Sequence, residues 1–403
     1  MSTNHKVPLT NSKLISAGMQ PLQQIQKTIP DSNTEKNSLI SSLFAITLSM
    51  LLSWGTAVAQ IQPPDAIKWH PGHYTVFASM EGKYKPTYRN EVYYDFKRAP
   101  ALRGVVVRYA WGELETAKDV YNFSNIKTLL AELAAQKKRL IILFETKASA
   151  PGTIEIITPD YLNTDLYEKG FYSFTNDNLD TTIGHGIKMW NPNVYARVVK
   201  LFRKLGEEFN SNPYFEGIGL AETSMSKPLT PLSSNELDSY FENMLSLNKQ
   251  LRVYFPNTMT FQFANYPRPV VQSYVEAFKT TGTAFGGPDV FIEEPGLLFP
   301  GSNISPPGAY AYHPLLSGTI PLVMQVAKLN YENTRWDRSG YNPTVSELLN
   351  FARNKLYANY IFWVRIPAYN REVIEALNWN AQKSTPSGGL NATCPSVYPS
   401  CVN

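Results

Sequence analysis

Cysteine is almost absent: the 403 residues contain two, Cys394 and Cys401, both within the last ten. Thiolate metal centres need more ligands than that. The five histidines show no His-x-x-x-His or Glu-x-x-His spacing, so no metal is expected. In an oxidising compartment the two thiols would close a small loop. Charge is scarce too, at 17% of residues with a net +4 and no Lys/Arg run, which argues against a nucleic-acid partner. No glycine loop has phosphate-binding spacing, and Gly286-Gly287 lacks the strand–turn–helix setting of a nucleotide fingerprint, so no cofactor is expected.

Long apolar runs are also missing, with one exception. Leu39–Trp54 is a run of 16 residues, short of the roughly 20 that span a bilayer. Gly55-Thr56-Ala57-Val58-Ala59 follows, and small residues at Ala57 and Ala59 match a signal-peptidase site before Gln60. Residues 1–59 are therefore expected to be a polar leader and signal peptide. Export to the periplasm or the extracellular space follows, with no stable membrane span once the signal is cleaved. The positive flank is thin, Lys27 and Lys36 being the nearest cations, so the alternatives are a true start downstream of Met1 or an uncleaved anchor.

What is plentiful is apolar and aromatic: 43% hydrophobic residues, with 24 Tyr, 20 Phe and 7 Trp. That supplies a large core and excludes wholesale disorder. From Trp69 to about Trp379, short apolar runs alternate with helical patterns. The strands predicted are Tyr74–Ser79, Gly104–Tyr109, Arg139–Phe144, Gly217–Ala221, Met259–Phe263, Ala284–Phe291, Pro321–Val326 and Tyr360–Val364. Ile126, Leu129, Leu130 and Leu133 mark one helix face, and Val194, Val198, Leu201, Phe202 and Leu205 another. Ser233–Glu236 and Thr344–Glu347 have capping-box spacing. Eight strands are the number that closes an α/β barrel. The prediction is a single-domain (β/α)8 TIM barrel over residues 60–382, with a Ser/Pro/Gly-rich tail at 383–403. Two long stretches, Ala148–Trp190 and Glu293–Gly318, read as irregular loops leaving strands three and six at the end where barrel sites are built.

The most specific pattern is Arg108-Tyr-Ala-Trp111-Gly-Glu113-Leu-Glu115, then Val120-Tyr121-Asn122-Phe123-Ser124-Asn125-Ile126, then Lys138-Arg139-Leu-Ile-Ile-Leu-Phe144. It resembles the second strand, its loop, the next helix and the third strand of clan-A glycoside hydrolases. The resemblance implies that Trp111 closes the barrel mouth and that the Tyr-x-Phe-Ser turn caps the helix. It also implies that Glu222, at the end of strand four, is the acid/base carboxylate. Clan members usually have Asn before that Glu, where this chain has Ala221. Strand seven should end in a nucleophilic Glu but carries Gln325, and an amide is neither a comparable nucleophile nor a titratable base. Glu332 lies too far into the following loop to replace it. Trp363 matches the aromatic floor of the clan.

Glycoside cleavage requires two carboxyl groups, so Asp289 or Glu145 is expected to partner Glu222. Arg108, Trp111, Lys147, Asn265, Gln325 and Trp363 are the expected substrate-binding residues. The leading reading is an exported enzyme cleaving a polysaccharide or oligosaccharide, with Glu222 as the general acid. A barrel that keeps a sugar cleft but has lost its chemistry, serving as a saccharide-binding or cell-surface protein, is the alternative that Gln325 invites. A Schiff-base enzyme using Lys147 fits less well, because such a lysine needs an apolar pocket and Lys147 lies two residues from Glu145.

Overall fold

The computed structural model describes residues 66–149, 154–175, 182–298 and 305–403; the leader and signal peptide expected over 1–59 lie outside them. Eight parallel strands close into a barrel. They are β1 Gly72–Val76, β2 Leu102–Tyr109, β3 Arg139–Phe144, β4 Phe215–Leu220, β5 Met259–Phe263, β6 Ala284–Gly287, β7 Leu322–Val326 and β8 Tyr360–Val364. Each pairs with the next in the chain, and β8 closes on β1 from Tyr360 opposite Gly72 to Val364 opposite Val76. The predicted (β/α)8 fold is the observed one. The sixth strand is shorter than expected, ending at Gly287 because Pro288 has no N–H to continue the ladder.

One principal helix follows each strand: α1 Pro86–Arg98, α2 Ser124–Ala134, α3 Pro192–Phe209, α4 Ser234–Tyr254, α5 Arg268–Thr281, α6 His313–Leu316, α7 Val345–Asn354 and α8 Pro367–Leu377. Both predicted capping boxes form. Ser233 Oγ accepts from Glu236 N at 3.3 Å while Glu236 accepts from Ser233 N at 2.8 Å, and Thr344 with Glu347 repeats the pattern at 3.2 and 2.8 Å. Helix α2 is different. No side chain caps it from Phe123; instead Asn122 Oδ1 accepts from the Ser124 hydroxyl at 2.7 Å.

Side-chain alternation along the strands divides the core in two. Tyr74, Val76, Val106, Ile141, Met259, Phe261, Phe263, Val323, Tyr360 and Phe362 fill the barrel interior. Their neighbours in the strands, such as Val105, Ile142, Met324, Ile361 and Trp363, pack against the helices. Five of these interior residues are aromatic rings, and β4 makes room for them with glycine: a Cβ on Gly219 would collide with the Phe261 ring.

Ala148–Trp190 is more regular than its sequence suggests. Phe171–Thr175 and Gly184–Ile187 form an antiparallel sheet with Lys147–Ala148 and Lys227–Pro228. Two of these four strands are two residues long, and they meet partners far away in sequence, so no local periodicity reveals them.

The last residues pack at the opposite, N-terminal end of the barrel. Ser400–Val402 runs parallel to Ala66–Lys68, Trp69 Nε1 donates to Ala392 O at 2.9 Å, and Cys394 and Cys401 are disulfide-bonded. Removing both sulfurs as Cys394→Ser/Cys401→Ser releases a loop constraint on the order of 2 kcal/mol. The expected result in scanning calorimetry is a melting temperature lower by a few degrees; an unchanged value would mean that strand pairing alone holds the segment.

Among the described residues no helix is long and apolar enough to cross a membrane.

Candidate active site

Parallel strands of a closed barrel deliver their last inward-facing side chains to one mouth. Here that mouth holds a cleft of about 470 Å³ lined by Arg108 from β2, Glu145 and Lys147 beyond β3, Glu222 beyond β4, Asp289 beyond β6 and Gln325 from β7. Met80, Ile156, Phe263 and Pro288 complete its apolar wall. All three carboxyl groups expected from the sequence are therefore together, although their positions span residues 145 to 289.

Glu222 is held from two sides. Lys147 Nζ lies 2.9 Å from Oε1, and Asn265 Nδ2 donates to Oε2 at 2.6 Å. Asn265, which follows β5, is itself oriented because its Oδ1 accepts from Tyr266 N at 2.9 Å and Ser224 N at 3.2 Å. Lys147 also donates to Ser226 Oγ at 3.0 Å and faces the Phe174 ring of the small sheet at 5.7 Å. A lysine committed to a carboxylate and a hydroxyl is a positioning group, not the isolated amine that a Schiff base needs.

Asp289 has the opposite character. Burial pushes its carboxyl up to about 7, the Glu222 charge adds to the rise, and a hydrogen bond from Asn330 Nδ2 at 3.3 Å opposes it. Asn330 is fixed in turn, its Oδ1 accepting from Ala327 N at 2.7 Å and Val290 N at 3.1 Å. Nothing in the sequence singles out Asn330 or Ser226, since each acts only through a residue distant along the chain. Glu145 is also raised, again chiefly by burial, with Arg108 acting against it.

Gln325 occupies the place where the resemblance expects a nucleophile. Its Nε2 donates to Pro288 O at 3.0 Å, and Arg108 Nη2 donates to its Oε1 at 3.4 Å. Arg108 Nε lies 3.3 Å from Glu145 Oε1, at an angle that makes an ion pair without a hydrogen bond.

Trp111 and Trp363 are not brought to the cleft. Both rings are fully buried in the layer between barrel and helices. Trp363 sits between the inward-facing Phe362 and Val364, so strand alternation turns it outward, where its Nε1 donates to His73 Nδ1 at 3.1 Å. Trp111 Nε1 donates to the buried Glu115 at 2.8 Å, and Glu115 also pairs with Arg197 of α3. The Trp111–Glu115 motif is thus a brace between the β2 loop and a helix. A buried carboxylate keeps its charge only with such partners.

No family model matches the sequence, and no curated protein sequence matches it. Similar solved structures exist at low identity. A beta-galactosidase from Bacillus circulans sp. alkalophilus superposes with a TM-score of 0.52 at 10% identity, over 74% of this chain and 51% of that one. Endo-glycoceramidase II from Rhodococcus sp. gives 0.44 at 10% identity, over 75% and 76%. The catalytic domain of beta-amylase from Paenibacillus polymyxa gives 0.46 at 11%, over 81% and 96%. The chain spans about half the length of the beta-galactosidase. What it shares with that enzyme is the fold, a (β/α)8 barrel.

Proposed function

We propose that the protein is an exported glycoside hydrolase acting on a polysaccharide or oligosaccharide, with Glu222 and Asp289 as its acid–base pair. The observation that carries the reading is the gathering of Glu222, Asp289 and Glu145 in one cleft at the barrel mouth, with Asp289 able to hold a proton near neutral pH.

The two carboxyls have different environments, and such a difference divides acid from base. Asp289 is assigned the donor role: its proton goes to the leaving oxygen as the glycosidic bond breaks. Glu222 receives a proton from the water whose oxygen bonds to the anomeric carbon. With donors on both of its oxygens it still has lone pairs free for that water. From the sequence alone Glu222 is expected to be the donor; the raised Asp289 is the reason for the exchange of roles. Gln325 cannot form a covalent glycosyl ester, which favours direct attack by water and inversion at the anomeric carbon. The test is release of reducing ends from a broad polysaccharide panel, with NMR of the first-formed anomer. Binding to the panel without hydrolysis would instead support the saccharide-binding barrel.

Export rests on the Leu39–Trp54 run and Ala57-Val58-Ala59. The Cys394–Cys401 disulfide fits an oxidising compartment. N-terminal sequencing of the mature protein is expected to begin near Gln60, and an intact Met1 on cytoplasmic material would reject export.

A further inference from the structure

Two tryptophans of the described chain stand open to solvent, Trp336 at 69% and Trp379 at 72%. An isolated exposed ring calls for no explanation, and Trp379 is such a case, lying beyond α8 at the end of the barrel away from the cleft. Trp336 is placed differently. It belongs to the loop that leaves β7 on the cleft side, and the backbone around it is pinned by hydrogen bonds.

Asn333 Oδ1 accepts from Arg335 N and Gly340 N, both at 3.0 Å, and closes the loop from within. Thr334 and Tyr341 exchange bonds across it: Thr334 N donates to Tyr341 O at 2.8 Å, and Tyr341 N donates to Thr334 Oγ1 at 3.0 Å. The loop is then fastened to the segment that follows Asp289. Thr334 Oγ1 donates to Glu293 Oε2 at 2.6 Å, Arg335 Nε donates to Glu293 O at 3.2 Å, and Trp336 N itself donates to Glu294 Oε2 at 2.9 Å. The backbone at Trp336 is thus tied to the segment that follows Asp289, on the side of the barrel where the strands deliver the cleft residues. Tyr341, 45% exposed, is the second ring on this loop, and its hydroxyl is tied to Glu347 at 3.1 Å.

We propose that Trp336, with Tyr341, is a saccharide-stacking platform on the cleft rim, a distal subsite for sugar units of the same chain that is cleaved between Glu222 and Asp289. This rests on the hydrolase reading and deepens it. A pyranose presents a C–H face that packs on an aromatic ring, and a ring on an already ordered loop binds without the entropy of ordering it. Between Glu332 and Arg338 two acids, Glu332 and Asp337, balance two arginines, so the loop itself carries no excess charge beside the exposed ring.

The test is retardation in native gels containing hydroxyethyl cellulose, laminarin, galactan or xylan, run in a Glu222→Gln background so that the polysaccharide stays intact. At least one polysaccharide is expected to slow the parent protein. Trp336→Ala is expected to weaken that retardation roughly three- to tenfold, Trp336→Phe to keep most of it, and Trp379→Ala to leave it unchanged. Retardation equal in the parent and Trp336→Ala would overturn the platform while leaving the hydrolase reading in place. No retardation by any of the four would overturn the platform, while the hydrolase reading is decided separately by release of reducing ends from the broad panel.

Discussion

Replacing Glu222 by Gln is expected to lower saccharide hydrolysis about 10²–10⁴-fold, the range a positioned acid or base contributes, while oligosaccharide binding survives. Asp289→Asn should cost as much on natural substrates, because either loss leaves one proton transfer undone. The two variants separate on a substrate with a stable leaving anion, such as a nitrophenyl glycoside. A nitrophenolate departs without protonation, so the Asp289→Asn protein should recover much of its rate on it. Glu222→Gln should recover none, since water still needs a base. Recovery in the opposite variant would return the donor role to Glu222. Gln325→Glu is expected to keep activity, and could change the stereochemical course by adding a carboxylate beside Arg108. Hydrolysis unaffected in both Glu222→Gln and Asp289→Asn would remove the acid–base assignment altogether.

Much of this arrangement is legible in the sequence, and what is not has identifiable physical causes. Strands buried on both faces betray themselves as short dense runs of aliphatic or aromatic residues, so Arg139–Phe144, Met259–Phe263 and Tyr360–Val364 are observed with the predicted ends. Polar residues at the ends of such runs stand out, and residue order alone is enough to pick out Glu145, Glu222, Asp289, Lys147 and Gln325. The tryptophans mislead because a motif does not report which way a side chain faces. One step along a strand moves a residue from the barrel interior to the helix layer, and Trp363 is one step from Phe362. Trp111 draws attention by its place in the most specific pattern, yet that pattern encodes a buried brace through Glu115 and Arg197. The cleft's supports are invisible for another reason: Asn330 touches Asp289 across 41 residues of sequence.

Stability should depend on pH through Asp289, in a direction opposite to that of an ordinary paired carboxylate. Its folded value is raised from 3.8 to about 7, so the fold favours the protonated form. Below about 4 the group is protonated in both folded and unfolded chains, and its contribution is fully present. As pH rises from there through 7, the unfolded chain releases the proton before the folded one does, and stability declines. The loss is complete above about 7 and amounts to up to roughly 4 kcal/mol. Asn cannot ionise, so Asp289→Asn should match the wild type near pH 4 and melt at a higher temperature at pH 8. Lys68 acts in a separate window, its ammonium lowered by burial from 10.5 to about 7. Its neutral form is favoured by the fold, so stability from Lys68 falls as pH drops from above 10 towards 7, in wild type and variant alike. The difference between the two melting curves therefore isolates Asp289 between pH 4 and 7. Parallel curves across that range would mean that Asp289 is ionised in the folded protein at neutral pH, and the proton donor would have to be sought at Glu145, the other raised carboxyl in the cleft.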